Sequence, residues 1–209
     1  IIASENVDTV VHMNVIATPT FVGGRASQKE INVIGTMQLL AACQKADSVR
    51  RLVVKSSTAV YGSSSRDPAM FTEDMGPMRQ PRAGFGKDSM EVEGYVRGFS
   101  RRRPDTAIHL LRFANAIGPE IRTSMTDYFT LPVIPTPLGF DARLQFLHED
   151  DLVRAMIASA TGTGDGIVNI AGDGVITLAQ AVALLGRPSM PVLAQAAGVV
   201  GGVFKRFGL

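Results

Sequence analysis

Apolar residues recur along this chain at two spacings, and their alternation predicts the elements. Short, β-branched apolar runs at Val7–Met13, Leu52–Val54, about Thr106–Phe113 and Ile167–Ala171 are expected to be strands. Runs without polar alternation suit parallel strands covered on both faces. Between them the spacing becomes helical. From about Lys29 to Lys45, Val33, Met37, Leu40 and Ala41 fall at i, i+4, i+7 and i+8 and predict a face that packs on the sheet. A second helix, carrying Lys87, places Val92, Tyr95, Val96 and Phe99 on one side, so Tyr95 is expected in the core, and it stops before Pro104. A third opens at Asp150 and Asp151, whose carboxylates suit a helix N-terminus, with Leu152, Met156 and Ile157 facing inward. Ile1 to Asn6 reads as the tail of a helix and residues 120–143 as loop-rich. Thr177 with Gln180 forms a capping box ahead of a helix over Leu178–Leu185, ended by Gly186. The tail Met190–Leu209 is expected to be an amphipathic helix.

Composition narrows the function classes. A chain of 209 residues, 45% hydrophobic and 19% charged, can bury one sizeable core. A net charge of +2 is too small to imply nucleic acid, and the basic run Arg101–Arg103 suits the end of a helix, where cations complement the dipole. The single Cys43 cannot form an internal disulfide and reads as a buried thiol in a reducing cytoplasm. No segment reaches the roughly 18 apolar residues of a membrane span. The chain opens at Ile1 without a signal-type segment and reads as an excerpt from a longer protein. His12, His109 and His148 lie far apart without cysteine or acidic ligand spacing, so no metal is expected.

Candidate chemistry gathers where LVVKSSTAVYG turns polar, at Lys55, Ser56 and Ser57. Ligands of open α/β sheets bind beyond the carboxyl ends of the strands, so hydroxyls there face a crevice, although Ser and Thr also satisfy backbone groups at strand ends. Asn32 is unfavourable in mid-helix and asks for a reason, with solvation at the surface as the plain one. His12 near a strand end reads equally well as a hydrogen-bonded core histidine. Asn115, ahead of Gly118–Pro119, is also an ordinary turn residue.

Taken in order, NVIGT, SSTAVYG, Lys87 with Glu91, LRFANAIGP, LHEDDL and VNIAG resemble the extended short-chain dehydrogenase/reductases, the NAD-dependent epimerase/dehydratase family. The resemblance implies an α/β Rossmann-type parallel sheet, incomplete because it begins at the family's fourth strand, with part of a smaller substrate-binding lobe. Residues 1–118 would complete the dinucleotide-binding domain and 119–209 would form the partial lobe, with 140–171 returning to the Rossmann core. It implies NAD or NADP as cofactor, a nucleotide-sugar substrate and possible homodimers through the helices of Asn32 and Lys87. By the same resemblance Ser57 is the catalytic serine and hydrogen-bonds a sugar oxygen, and Asn32 serves the proton relay. Lys87 orients the cofactor and takes part in catalysis, and His12 lies on the cofactor side. Asn115 holds the substrate's diphosphate or sugar, and His148 lies close to substrate.

Two departures stand out. The glycine fingerprint that lets a pyrophosphate approach a helix N-terminus has no counterpart, since the glycines at 162, 164 and 166 precede a strand. The family also requires Tyr-x-x-x-Lys, in which the ammonium lowers the phenol's pKa so that it can exchange a proton with a substrate hydroxyl. Four residues before Lys87 stands Ala83, Phe85 lacks a hydroxyl, and Tyr61, Tyr95 and Tyr128 do not have the spacing. The expectation is an epimerase/dehydratase-like oxidoreductase with impaired or non-standard catalysis. The alternatives are a non-catalytic nucleotide- or partner-binding member and an inactive truncated product.

Overall fold

The strand Arg51–Ser57 (β2) lies inside a four-stranded sheet, between Thr9–His12 (β1) and Ala107–Phe113 (β3), with Gly166–Ile170 (β8) beyond β3; every pairing is parallel. The computed structural model describes residues 1–17, 23–62, 67–68, 70–77 and 79–193. Leu52, Val53 and Val54 are wholly buried because helices cover both sheet faces. Parallel neighbours require crossovers, and helices supply them. Between β1 and β2 run α1 (Arg25–Lys29), a π-helical turn (Glu30–Ile34) and α2 (Gly35–Gln44), and between β2 and β3 runs α3 (Gly84–Arg102). One face packs Leu52, Val54 and Leu110 against Leu40, Cys43, Val92, Val96 and Phe99. The other packs Val53, Leu111 and Phe113 against Leu147 of β7 (Phe146–His148) and Met156 of α5 (Glu149–Thr161). Burying each such side chain is worth about 1.5–3 kcal/mol.

Helix phase differs from the expected faces in several places. The inward residues near and along α2 are Val33, Thr36, Leu40 and Cys43, whereas Met37 and Ala41 are exposed. The π turn widens the helix at its start and brings both Asn32 and Val33 inward. In α3 the buried set includes Val92, Val96 and Phe99, but Tyr95 is 39% exposed, about 100° around the helix from Val96. In α5 Met156 is buried and Ile157 is exposed. Ile2–Asn6 forms turns rather than the end of a helix. Arg103 does not merely complement its own helix, because its guanidinium donates to the carbonyls of Cys43, Ala46 and Val49 at 3.0–3.2 Å and ties α3 to the end of α2.

Beyond β4 (Asn115–Ile117) a separate cluster forms around Ile134, Leu178 and Val182. It includes a helix, α4 (Ser124–Thr130), inside the stretch expected to be loop-rich; a capping box of Thr123 with Thr126 starts it. β5 (Ile134–Pro137) pairs in parallel with β10 (Ser189–Val192). The first residues of the tail are therefore a strand rather than a helix, and residues 194–209 lie outside the described residues. β6 (Arg143–Leu144) pairs antiparallel with β9 (Ile176–Thr177), which leads through the Thr177–Gln180 capping box into α6 (Leu178–Leu184). No described helix is long and apolar enough to cross a membrane.

Candidate functional site at the carboxyl edge of the sheet

Ser57 is the last residue of β2 and the N-cap of a 3-10 turn, Thr58–Tyr61, where its Oγ accepts from the Ala59 N–H at 3.2 Å. This satisfies one lone pair, and among the described residues the hydroxyl proton has no acceptor. Gly62 closes the turn at φ +87°, a conformation that β-carbon sterics disfavour. α3 comes close to the same turn: a Cβ on Gly86 would stand 2.7 Å from the Ala59 carbonyl oxygen, so only glycine lets the helix start there.

Side chains alternate along β2, so Lys55 and Ser57 share one face and Ser56 takes the other. Ser56 donates to Glu93 at 2.7 Å, in a buried network on the α3 side. Arg112 reaches Glu93 from Nε at 3.0 Å and Nη2 at 2.8 Å, and its Nη1 donates to the Tyr61 hydroxyl at 2.7 Å. Desolvation pulls on the guanidinium, but its bonds to Glu93 and Tyr61 prevail and hold its pKa above the usual value. Tyr61 also reaches Asn169 at 2.8 Å and stacks on Phe71, so it is a structural tyrosine. A cavity of about 380 Å³ lies beside this network, lined in part by Met75, Met90 and Arg97.

Lys55 has one hydrogen bond among the described residues, to the Val15 carbonyl at 3.4 Å. Burial lowers its pKa. His12, at the end of β1, is itself buried and bonded to Thr36 through Nε2 at 2.7 Å. Its pKa is also lowered, first by burial and then by the charge on Lys55, which places the two groups within electrostatic reach. His12 thus sits in a closed structural contact. The sequence marks Lys55 as the point where β2 turns polar and assigns it no role; its signal is a lysine two residues from Ser57 on the same strand face.

Asn32 is fully buried rather than solvated, and its amide holds Ile16 in both directions: Oδ1 accepts from N–H at 2.7 Å and Nδ2 donates to C=O at 2.9 Å. Gln28 donates to the carbonyls of Ile16 and Ala17, both at 2.9 Å. Nearby, Arg25 engages the buried Asp88 through both nitrogens at 2.5 and 2.6 Å and reaches the Gly84 carbonyl at 3.2 Å. The segment after β1 is thereby clamped to α1 and to the first turns of α3.

Asn115 follows β3 and stands at the same edge as Ser57, because Ser57 is opposite Phe113 in the register. Its Nδ2 donates to the Gln145 carbonyl at 3.3 Å. His148 is exposed and caps α5, with Nδ1 accepting from Asp150 N–H at 3.3 Å. Lys87 stands apart from this edge: its ammonium lies 3.8 Å from Glu91 and its side chain is 44% exposed. At 100° per residue it lies about 160° around α3 from Ser89, which is wholly buried. The residues four apart that α3 does turn toward the sheet are Phe85, packed on the core, and Ser89, whose Oγ donates to the Phe85 carbonyl at 3.0 Å. Ala83 precedes the helix as its N-cap. The structure therefore groups Ser57, Lys55, His12 and Asn115 at one edge and leaves Lys87 on the outer side of α3.

Comparison with known proteins agrees with the fold. The profile of the NAD dependent epimerase/dehydratase family matches residues 1–171. An uncharacterised protein of Mycobacterium tuberculosis (strain ATCC 25618 / H37Rv) is 50% identical over 192 residues, covering 92% of this chain and 51% of that protein. UDP-glucose 4-epimerase 2 of Oryza sativa subsp. japonica is 35% identical over 123 residues, covering 56% of this chain and 28% of the enzyme. The chain thus spans about half the length, or less, of these relatives. Among solved structures, MoeE5 in complex with UDP-glucose and NAD superposes with a TM-score of 0.70 at 23% identity, over 94% of this chain and 73% of that one. UDP-glucose 4-epimerase of Thermotoga maritima with UDP-glucose gives 0.71 at 20% identity, over 90% and 65%. With a profile match over 171 residues and the same parallel sheet, the chain belongs to the NAD-dependent epimerase/dehydratase family.

Proposed function

We propose that this chain is the part of an NAD-dependent nucleotide-sugar oxidoreductase that carries the substrate side of the site, and that its proton transfer is impaired or non-standard. The observation that carries the reading is the inward face of α3, where Phe85 and Ser89 stand four residues apart and neither can do the work of a tyrosine-lysine pair. The strand ends bearing Ser57 and Asn115 suit the nicotinamide end of a dinucleotide and the sugar of a substrate. When bound, NAD would supply the hydride acceptor. The pyrophosphate would need a glycine-rich turn that this sequence lacks. Ser57 would donate to a sugar oxygen, Asn115 would hold the substrate's polar groups, and Asn32 would fix the backbone at Ile16 that borders the site.

Titration calorimetry of the full-length protein with NAD, UDP-glucose and UDP-galactose, alongside an epimerisation assay, tests the reading. Binding of both ligand classes with little turnover is expected, and the absence of any binding would overturn it. The double variant Phe85→Tyr with Ser89→Lys should raise turnover by about 10²-fold or more, the scale of general acid-base catalysis. Ala83→Tyr, outside the helix, should add nothing. A second reading, a binding protein without redox chemistry, is favoured by the same loss of both proton-handling groups. It would prevail if ligands bind and the double variant stays inert.

A further inference from the structure

We propose that Lys55 supplies the cation of the site, from β2 rather than from α3, and that it binds an anionic oxygen of the ligand, on a phosphate or a carboxylate. This rests on the proposed nucleotide-sugar site and adds the group that recognises the ligand's charge. Among the described residues the Lys55 ammonium has the Val15 carbonyl at 3.4 Å and no carboxylate within 4.0 Å. Lys29 and Lys87, by contrast, each lie 3.8 Å from Glu91. Lys55 is half-buried, and an ammonium partly withdrawn from water without a counter-charge carries a cost that a ligand anion would offset. Its position is equally specific. Alternation along β2 puts it on the Ser57 face of the sheet, beside Leu111 in the β2–β3 register and at the strand end where open α/β sheets take their ligands. The carboxylates of Glu93 and Asp88 cannot neutralise it, since both are engaged by arginines elsewhere, at Arg112 and Arg25.

Affinities of the full-length protein and of its Lys55→Met variant for NAD, UDP-glucose and UDP-glucuronate, each measured by calorimetry at low and at high salt, test this. Lys55→Met should weaken at least one ligand by about tenfold to a hundredfold, the range of a charge-assisted hydrogen bond. The gap should narrow at high salt, and the melting temperature of the unliganded variant should be unchanged or higher. Loss for all three ligands points to a diphosphate; loss for UDP-glucuronate alone points to a sugar carboxylate. Equal affinities for variant and parent overturn the inference, as does a loss accompanied by a lower melting temperature or indifferent to salt. If the parent binds none of the three, the proposed function itself falls and this inference with it.

Discussion

Replacing Glu93 by Gln tests the buried network behind Ser57. The side chains of Glu93 and Arg112 are 3% and 7% exposed and meet at 2.8 Å, with a second contact at 3.0 Å. Glu93 also accepts from Ser56 at 2.7 Å, one residue before Ser57. The amide keeps the volume and can still accept from Ser56, but it leaves the Arg112 charge without its partner. Breaking one side of a buried pair costs about 3–5 kcal/mol. For a chain of this size each kcal/mol is worth about 2–4 °C, so the melting temperature should fall by about 6–20 °C. Thermal and urea unfolding followed by circular dichroism would read it. Arg112→Met should cost a similar amount, while Glu93→Met combined with Arg112→Met should cost clearly less than the sum of the two single losses, because apolar groups replace both charges together. A fall of less than about 2 °C for Glu93→Gln, or strict additivity in the double variant, would refute the claim that this pair is desolvated and coupled.

Asp88→Asn should cost about 2–4 kcal/mol by urea unfolding, since Arg25 loses a bidentate partner whose side chain is fully buried, although Arg25 itself is 40% exposed and softens the loss. Gly86→Ala should destabilise by about 1–3 kcal/mol and weaken ligand binding together, because its Cβ would force the first turn of α3 away from Ala59 beside Ser57. His12 gives a pH dependence of definite sign. Its folded pKa lies below 6.5, through burial first and Lys55 second, so the unfolded chain takes up a proton that the native state refuses. Stability should therefore be flat above about pH 7 and decline as pH falls through 6.5, and His12→Gln should remove part of that decline in urea titrations. If the pyrophosphate needs the G-x-G-x-x-G turn of a dinucleotide fingerprint, residues 1–209 alone should show little NAD affinity by calorimetry.

The sequence by itself determined the four strands of the main sheet and the helices between them, the buried β-branched strand at 52–54, the Thr177–Gln180 cap and the family. Each of these depends on local spacing or on a run of neighbouring residues. Helix phase was legible only in part. Met37, Tyr95 and Ile157 fit an apolar stripe on paper, yet a helix of similar polarity on two sides can rotate by one residue, and packing against the sheet chose between the two. The Tyr-x-x-x-Lys register was ambiguous for the same reason: local spacing points to Lys87, whereas the tertiary contacts turn Lys87 outward and Ser89 inward. Only the assembled sheet decided that Asn32 would grip a backbone segment sixteen residues away, that Arg112 would find Glu93 across the β3–α3 interface, and that Lys55 would be half-buried with no carboxylate beside it among the described residues. Burial and long-range charge pairing arise from elements distant in the chain, and no local pattern encodes them.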